Sequence, residues 1–254
     1  MPYDVRGVLF DLDDTLLDHS AAAAAAVRQL VATVPSWPDD DATTVARWRT
    51  LEDEHFARYA AGEISMVEQR RERIRAFLTL PDAPDDTLDE LFAGYLGDYR
   101  RSWRAVSGGP ELVLALLDEG YRVGILTNGL AVQQRAKLAA IGLTDTRLVL
   151  CISEELPAAK PHPSAYEAAC RALGLPPHQV LMVGDNRTND VDAARAAGLH
   201  AVHIDPDAAP LRAGEGTVET LRSVTDLRLG RGSTSDRGGR PVRPWADVRA
   251  ASPA

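Results

Sequence analysis

The chain has 254 residues and a mass of 27.4 kDa, with 37 acidic against 28 basic side chains and a net charge of −9. At 45% hydrophobic and 26% charged residues it composes as a globular protein, which excludes collagen-like, coiled-coil and fully disordered classes. The acidic balance argues against a nucleic acid polymer as partner but leaves room for a small phosphorylated ligand at one local site. Cys151 and Cys170 are too few for a disulfide framework, form no CxxC and lie in apolar stretches, so both read as buried free thiols. The start of the chain lacks the cationic and long apolar stretches of a secretory signal. The longest apolar run, Ala21–Val27, falls short of the ~20 residues a membrane span needs. The expectation is a cytoplasmic protein with no membrane partner; the sequence leaves its oligomeric state open.

Five short runs rich in Val, Leu and Ile read as strands buried on both faces of a parallel sheet: Val5–Phe10, Tyr121–Leu126, Leu148–Ile152, Val180–Val183 and His200–Ile204. After the first, residues 21–34, 42–61, 67–78 and 87–103 read as helices. Phe92, Tyr95, Tyr99 and Trp103 recur at helical spacing, as do Trp48, Leu51, His55 and Tyr59, which predicts the core of a helical bundle. Pro81–Asp86 is a loop inside this insertion, and Gly108–Gly109–Pro110 marks the return. Between the later strands, residues 110–117, 130–141, 164–173 and 188–197 suit helices, several of them stopped by Gly. The alternation predicts a doubly wound α/β domain over 1–17 and 106–227, interrupted by an all-helical domain over 18–105. From Arg228 the chain turns rich in Arg, Gly and Pro, and 228–254 reads as a flexible extension.

The chemistry-bearing residues fall at or near predicted strand ends, where open α/β sheets bind ligands. Strand one runs into Asp11–Leu12–Asp13–Asp14–Thr15. Two carboxylates two residues apart can divide labour, one ionised and one holding a proton; a helix-capping acidic cluster would look the same. Strand two runs into Thr127–Asn128–Gly129, a hydroxyl, an amide and backbone N–H groups at a helix start, suited to an anion and equally to a plain turn. Strand four runs into Gly184–Asp185 and, five residues on, Asp190, hard oxygen ligands of the kind Mg2+ prefers. In Lys160–Pro161–His162–Pro163 the prolines stiffen the backbone and Lys160 can reach inward.

In that order, DLDDT, TNG, a lysine and GDNRTND together resemble the four motifs of the haloacid dehalogenase superfamily over roughly residues 5–205. The helical insertion resembles the cap of its subfamily I. The resemblance implies a Rossmann-like parallel sheet in the order 5-4-1-2-3. It implies that Asp11 is a nucleophile forming an aspartyl-phosphate and that Asp13 is the acid and base. Thr127, Asn128, Gly129 and Lys160 would hold the substrate phosphate. Asp11, Asp13 and Asp185 would hold Mg2+, with Asp190 acting through water. The implied activity is hydrolysis of a small phosphorylated metabolite of the nucleotide or sugar phosphate class. A phosphomutase is the alternative. A 2-haloacid dehalogenase would be expected to lack Asp13, and a non-catalytic binding module would be expected to have lost Asp11, Asp13 or Lys160.

Four features depart from the pattern or stand near it. Asp192 occupies a position often Gly in the family, which questions helix packing there. Asp14 is an extra carboxylate, read as structural. His19 and His162 read as cap or loop residues. Arg70, Arg71, Arg73 and Arg75 spread around one helix, so they read as a solvated face rather than a clamp on one ligand.

Overall fold

Strand β1 (Gly7–Phe10) is buried at every residue, which is why it reads as an unbroken apolar run. A computed structural model describes residues 4–208 and 220–229. In it β1 pairs in parallel with β2 (Arg122–Thr127) on one side and β4 (Val180–Gly184) on the other. With β3 (Val149–Ile152), β5 (His200–Ile204) and β6 (Thr220–Leu221) the sheet order is β3-β2-β1-β4-β5-β6. This is the expected five-strand order with one short parallel edge strand added beside β5. A two-residue pairing leaves no periodicity to read, so the sequence did not announce it. The tail expected as flexible lies outside the described residues from 230 onward.

The chain divides into two compact units, one formed by Met1–Asp18 with Ala105–Ala254 and the other by His19–Arg104. In the first, α5 (Gly109–Asp118), α6 (Ala131–Ala140) and α7 (Pro163–Leu173) connect the strands. Cys151 and Cys170 pack with Leu9, Leu126, Tyr166 and Met182 in one core cluster, and burial pushes each thiol up to about 11. They remain neutral packing residues at physiological pH.

The segment expected as one helix over 188–197 differs. Residues Arg187–Asp192 form a π-helical stretch, followed by a single α-turn, α8 (Ala193–Ala196). The Ala193 N–H reaches the Thr188 carbonyl, five residues back. This wider turn holds Asp190 with no exposed surface, its carboxylate accepting from the Asn186 N–H at 3.0 Å. Asp192 is exposed and pairs with Arg187 at 3.2 Å, so the residue expected to disturb packing faces outward.

The second unit is four helices: α1 (His19–Ala32), α2 (Asp41–Ala60), α3 (Met66–Leu78) and α4 (Asp85–Arg101). Asp40 caps α2, and Ser65 with Glu68 forms a reciprocal capping box on α3. The aromatic stripe from α4 packs as its spacing predicts. Trp48 lies 4.4 Å from Tyr95 and 4.9 Å from Phe77, centroid to centroid. Arg73 overturns the reading of a solvated arginine face. It is only 5% exposed, stacks 4.6 Å over Trp48 and 4.9 Å over Phe92, and donates to Glu52 at 2.6 Å. The helix that carries Arg73 is polar in composition, so only three-dimensional packing reveals which arginine turns inward. Arg71 and Arg75 are half-buried and paired with Asp85 and, for Arg71, Asp89, while Arg70 stacks 5.7 Å over Phe92.

Burial alone would push the Glu52 carboxyl up, but Arg73 and His19 outweigh it and hold Glu52 well below the usual carboxylate range. Removing one partner of such a pair strands the other. Arg73→Ala is expected to cost about 3 kcal/mol or more of stability, measured as the free energy of urea unfolding at pH 7. Unchanged stability would mean the pair contributes nothing.

Candidate active site

Register carries the site. Phe10 lies opposite Ile125 on β2 and Val183 on β4, and the Asp11 N–H continues the ladder to the Val183 carbonyl at 2.9 Å. Asp11 therefore leaves the sheet where the connections diverge, with β2 on one flank and β4 on the other. That is the switch point at which open α/β sheets bind ligands.

Four of the expected residues converge there. The Lys160 ammonium donates to Asp11 at 2.7 Å and to Asp190 at 2.6 Å. Carboxylate oxygens of Asp11, Asp185 and Asp190 all lie within 4.8 Å of one another. Asp185 is held from both sides of its backbone. Its N–H donates to the Thr15 hydroxyl at 3.1 Å, and its carbonyl meets His203 Nε2 at 2.6 Å. The Asn128 side chain grips the Lys160 backbone with two bonds: Nδ2 to the carbonyl at 2.8 Å, and Oδ1 from the N–H at 2.9 Å. Asn128, expected to hold the substrate phosphate, also fixes the segment that carries Lys160.

The electrostatics follow from this crowding. Burial raises Asp11 well above its ordinary value; Lys160 opposes this, while Asp190 and Asp185 add to it. Asp185 is pushed up to about 7 by burial, Asp190 and Asp14. Burial works against the Lys160 charge, but Asp11 and Asp190 outweigh it and raise its pKa. Three carboxylates this close fit a divalent cation, because a small double positive charge offsets their mutual repulsion. Asp190 differs from the other two: Lys160 and the Asn186 N–H already engage its two oxygens.

Asp13 and Thr127 sit on the α6 side of the same strand ends. Lys137 donates to both Asp13 oxygens at 2.7 and 2.8 Å. Gln134 Nε2 donates to Thr127 Oγ1 at 2.7 Å, with Asp13 Oδ2 at 3.1 Å. The Gly129 N–H is taken by the Ser153 hydroxyl at 2.9 Å. Gly129 has φ +140°, and a Cβ there would meet the Gln134 side chain at 3.2 Å. Asp14 holds a left-handed backbone (φ 56°) that Asp tolerates, and its charge bears on Asp185. His162 caps α7, accepting from the Ser164 N–H, and His19 bonds Tyr99 at 2.6 Å within the helical unit.

Sequence reading missed Gln134, Lys137, Ser153 and His203, and gave no role of its own to Thr15 within DLDDT. Gln134 and Lys137 carried a signal: with Leu138 they occupy the inward stripe of α6, where apolar residues belong.

Gly184 explains its own place in the motif. A Cβ there would lie 2.2 Å from Asp190 Oδ2. Gly184→Ala is expected to push the Asp190 carboxylate off Lys160, lowering turnover about 10²-fold and stability by about 1–3 kcal/mol. Steady-state kinetics and thermal unfolding of the variant check both; wild-type values would mean the backbone yields without cost.

A buried carboxylate paired with a buried lysine, beside an acidic cluster at the carboxyl end of a parallel sheet, suits an α/β hydrolytic enzyme. The profile described as haloacid dehalogenase-like hydrolase matches residues 5–198. The chain belongs to that family. It is 28% identical over 204 residues to glyceraldehyde 3-phosphate phosphatase of Methanopyrus kandleri, covering 79% of this chain and 84% of that one. It is 29% identical over 207 residues to pyrimidine 5′-nucleotidase PynA of Streptococcus pneumoniae, covering 78% and 83%. Among solved structures, HAD-hydrolase YfnB of Bacillus subtilis, bound to magnesium, superposes with TM-score 0.72 at 23% identity, covering 87% of this chain and 96% of that one. A dehalogenase superposes at 0.68 and 23% identity, covering 89% and 96%, which shows a shared fold. Among the described residues, no helix is long and apolar enough to cross a membrane.

Proposed function

We propose that the protein is a Mg2+-dependent phosphatase of a small phosphorylated metabolite, of the nucleotide or sugar phosphate class, working through an aspartyl-phosphate on Asp11. The observation that carries this reading is the convergence of Lys160 with Asp11, Asp185 and Asp190 beyond the ends of the strands. The relatives named as glyceraldehyde 3-phosphate phosphatase and pyrimidine 5′-nucleotidase support the substrate class.

A bound divalent cation would be held by the Asp11 carboxylate, the Asp13 carbonyl and Asp185, with Asp190 acting through water. It would supply positive charge to offset the repulsion between carboxylate and phosphate dianion. An Asp11 oxygen attacks phosphorus as the bond to the leaving oxygen breaks. Asp13 gives that oxygen its proton. Lys160, the Thr127 hydroxyl and the Asn128 backbone hold the transferring oxygens, whereas the Gly129 N–H, expected to join them, is engaged by Ser153. Asp13 then takes a proton from water, which attacks phosphorus, releases inorganic phosphate and frees Asp11.

The test is release of inorganic phosphate from 4-nitrophenyl phosphate and a panel of phosphorylated metabolites, with MgCl2 and with excess EDTA. Turnover lost in EDTA is expected. Full turnover in EDTA, or chloride release from 2-chloropropionate with no phosphatase activity, would overturn the proposal. Turnover dependent on a bisphosphate primer would mark a mutase instead.

A further inference from the structure

Helix α6 puts two polar side chains where a helix ordinarily packs. Gln134 is 1% exposed and Lys137 2%. Burying an ammonium and an amide costs stability unless each is paired. Here both converge on Asp13. We infer that Gln134 and Lys137 are positioning residues for the acid/base step. Lys137 fixes the Asp13 carboxylate, and Gln134 ties it to the Thr127 hydroxyl. This rests on the role proposed above for Asp13.

The geometry gives each a separate task. Lys137 Nζ engages both oxygens of Asp13 at 2.7 and 2.8 Å, so the carboxylate cannot rotate about its last bond without losing one contact. Gln134 Nε2 has two hydrogens and three acceptors around it: Thr127 Oγ1 at 2.7 Å, Asp13 Oδ2 at 3.1 Å and the Asn128 carbonyl at 3.2 Å. Only the NH2 face of the amide suits three acceptors, which fixes its orientation. Because Thr127 Oγ1 accepts from Gln134, its own hydrogen is left to donate elsewhere. The hydroxyl is thereby turned into a donor for a phosphate oxygen. One amide thus coordinates the group that binds phosphate with the group that protonates the leaving oxygen.

Gly129 supports this independently. Its φ of +140° is one that side chains rarely adopt, and a Cβ there would press on Gln134. The turn after β2 leaves the room Gln134 occupies. Two lysines therefore serve two carboxylates at the end of one strand, Lys160 on the nucleophile Asp11 and Lys137 on Asp13.

The test separates leaving groups. An alkyl phosphate needs a proton on its leaving oxygen, whereas 2,4-dinitrophenolate departs as the anion. The ratio kcat/KM reports only steps through phosphorylation of Asp11, so later hydrolysis does not intrude. Lys137→Met is expected to lower kcat/KM for glycerol phosphate by about 10²-fold and for 2,4-dinitrophenyl phosphate by less than about threefold. Gln134→Leu removes the amide at constant charge. It is expected to lower both, the alkyl ester more, because Thr127 also loses its partner. Circular dichroism checks folding, and if Lys137→Met does not fold, Gln134→Leu carries the same comparison. Equal losses on the two esters would mean a purely structural role and overturn the inference, as would no loss on the alkyl ester. Asp13→Asn run alongside separates the two levels of argument. If it shows the selective loss and the α6 variants do not, only this inference falls. If it shows none, the role of Asp13 itself falls.

Discussion

Asp11→Asn is expected to abolish phosphate ester hydrolysis, by at least about 10⁴-fold, while the protein folds as well as the wild type or better. The two halves of the expectation have one cause. Burial lifts the Asp11 carboxyl well above its ordinary value, Lys160 does not fully compensate, and Asp190 and Asp185 add to the strain. A carboxyl whose pKa is higher in the fold than in the unfolded chain stabilises the fold at low pH, and loses that contribution as pH rises through the folded value. Ionising the buried Asp11 carboxyl is therefore a net cost in the metal-free protein. Asparagine keeps the shape, and its side-chain oxygen can still accept from Lys160, but the repulsion with the other carboxylates is gone. Phosphate release with MgCl2 and thermal unfolding in EDTA measure the two effects. Retained turnover would remove Asp11 from the chemistry. Retained folding with lost turnover is the pattern of a functional residue kept at the expense of stability.

The sequence showed most where local pattern and tertiary role coincide. The apolar runs of β1 and β4 are buried on both faces, so composition alone marks them, and the polar residues that follow each run must sit at strand ends. That is why Asp11, Thr127 and Asp185 were legible as a set although no single motif was. Legibility failed where a residue's partner is distant in the chain. Arg73 looks like its neighbours on α3 until Trp48, Phe92 and Glu52 fold around it. Lys137 looks like a solvated helix lysine, yet its partner Asp13 lies 124 positions earlier. The π-helical stretch at Arg187–Asp192 was hidden for a related reason. Its widening follows from the inward turn of Asp190 toward Lys160, a demand made by tertiary contacts and not by propensity.

Asp185 sets the second large expectation, the coupling of metal binding to pH. Its carboxyl is pushed up to about 7 by burial, Asp190 and Asp14. Its unfolded value lies near ~4. The metal-free protein should therefore lose stability as pH rises from about 4 to about 7, because the fold binds a proton there that the unfolded chain has released. Mg2+ should act in the opposite sense. It needs the ionised carboxylate, so its affinity should climb over the same interval, and binding below pH 7 should expel a proton. At a hundredfold excess over Kd the cation should add about 2.7 kcal/mol of stability. Asp185→Asn should reverse both signs. It removes the repulsion, so the variant in EDTA at pH 8 should melt above the wild type, and it removes a ligand, so MgCl2 should no longer raise its melting temperature. Thermal unfolding of both proteins at pH 5 and pH 8, with EDTA or MgCl2, reads all of this in one series. An equal Mg2+ shift in wild type and variant would place the cation away from Asp185.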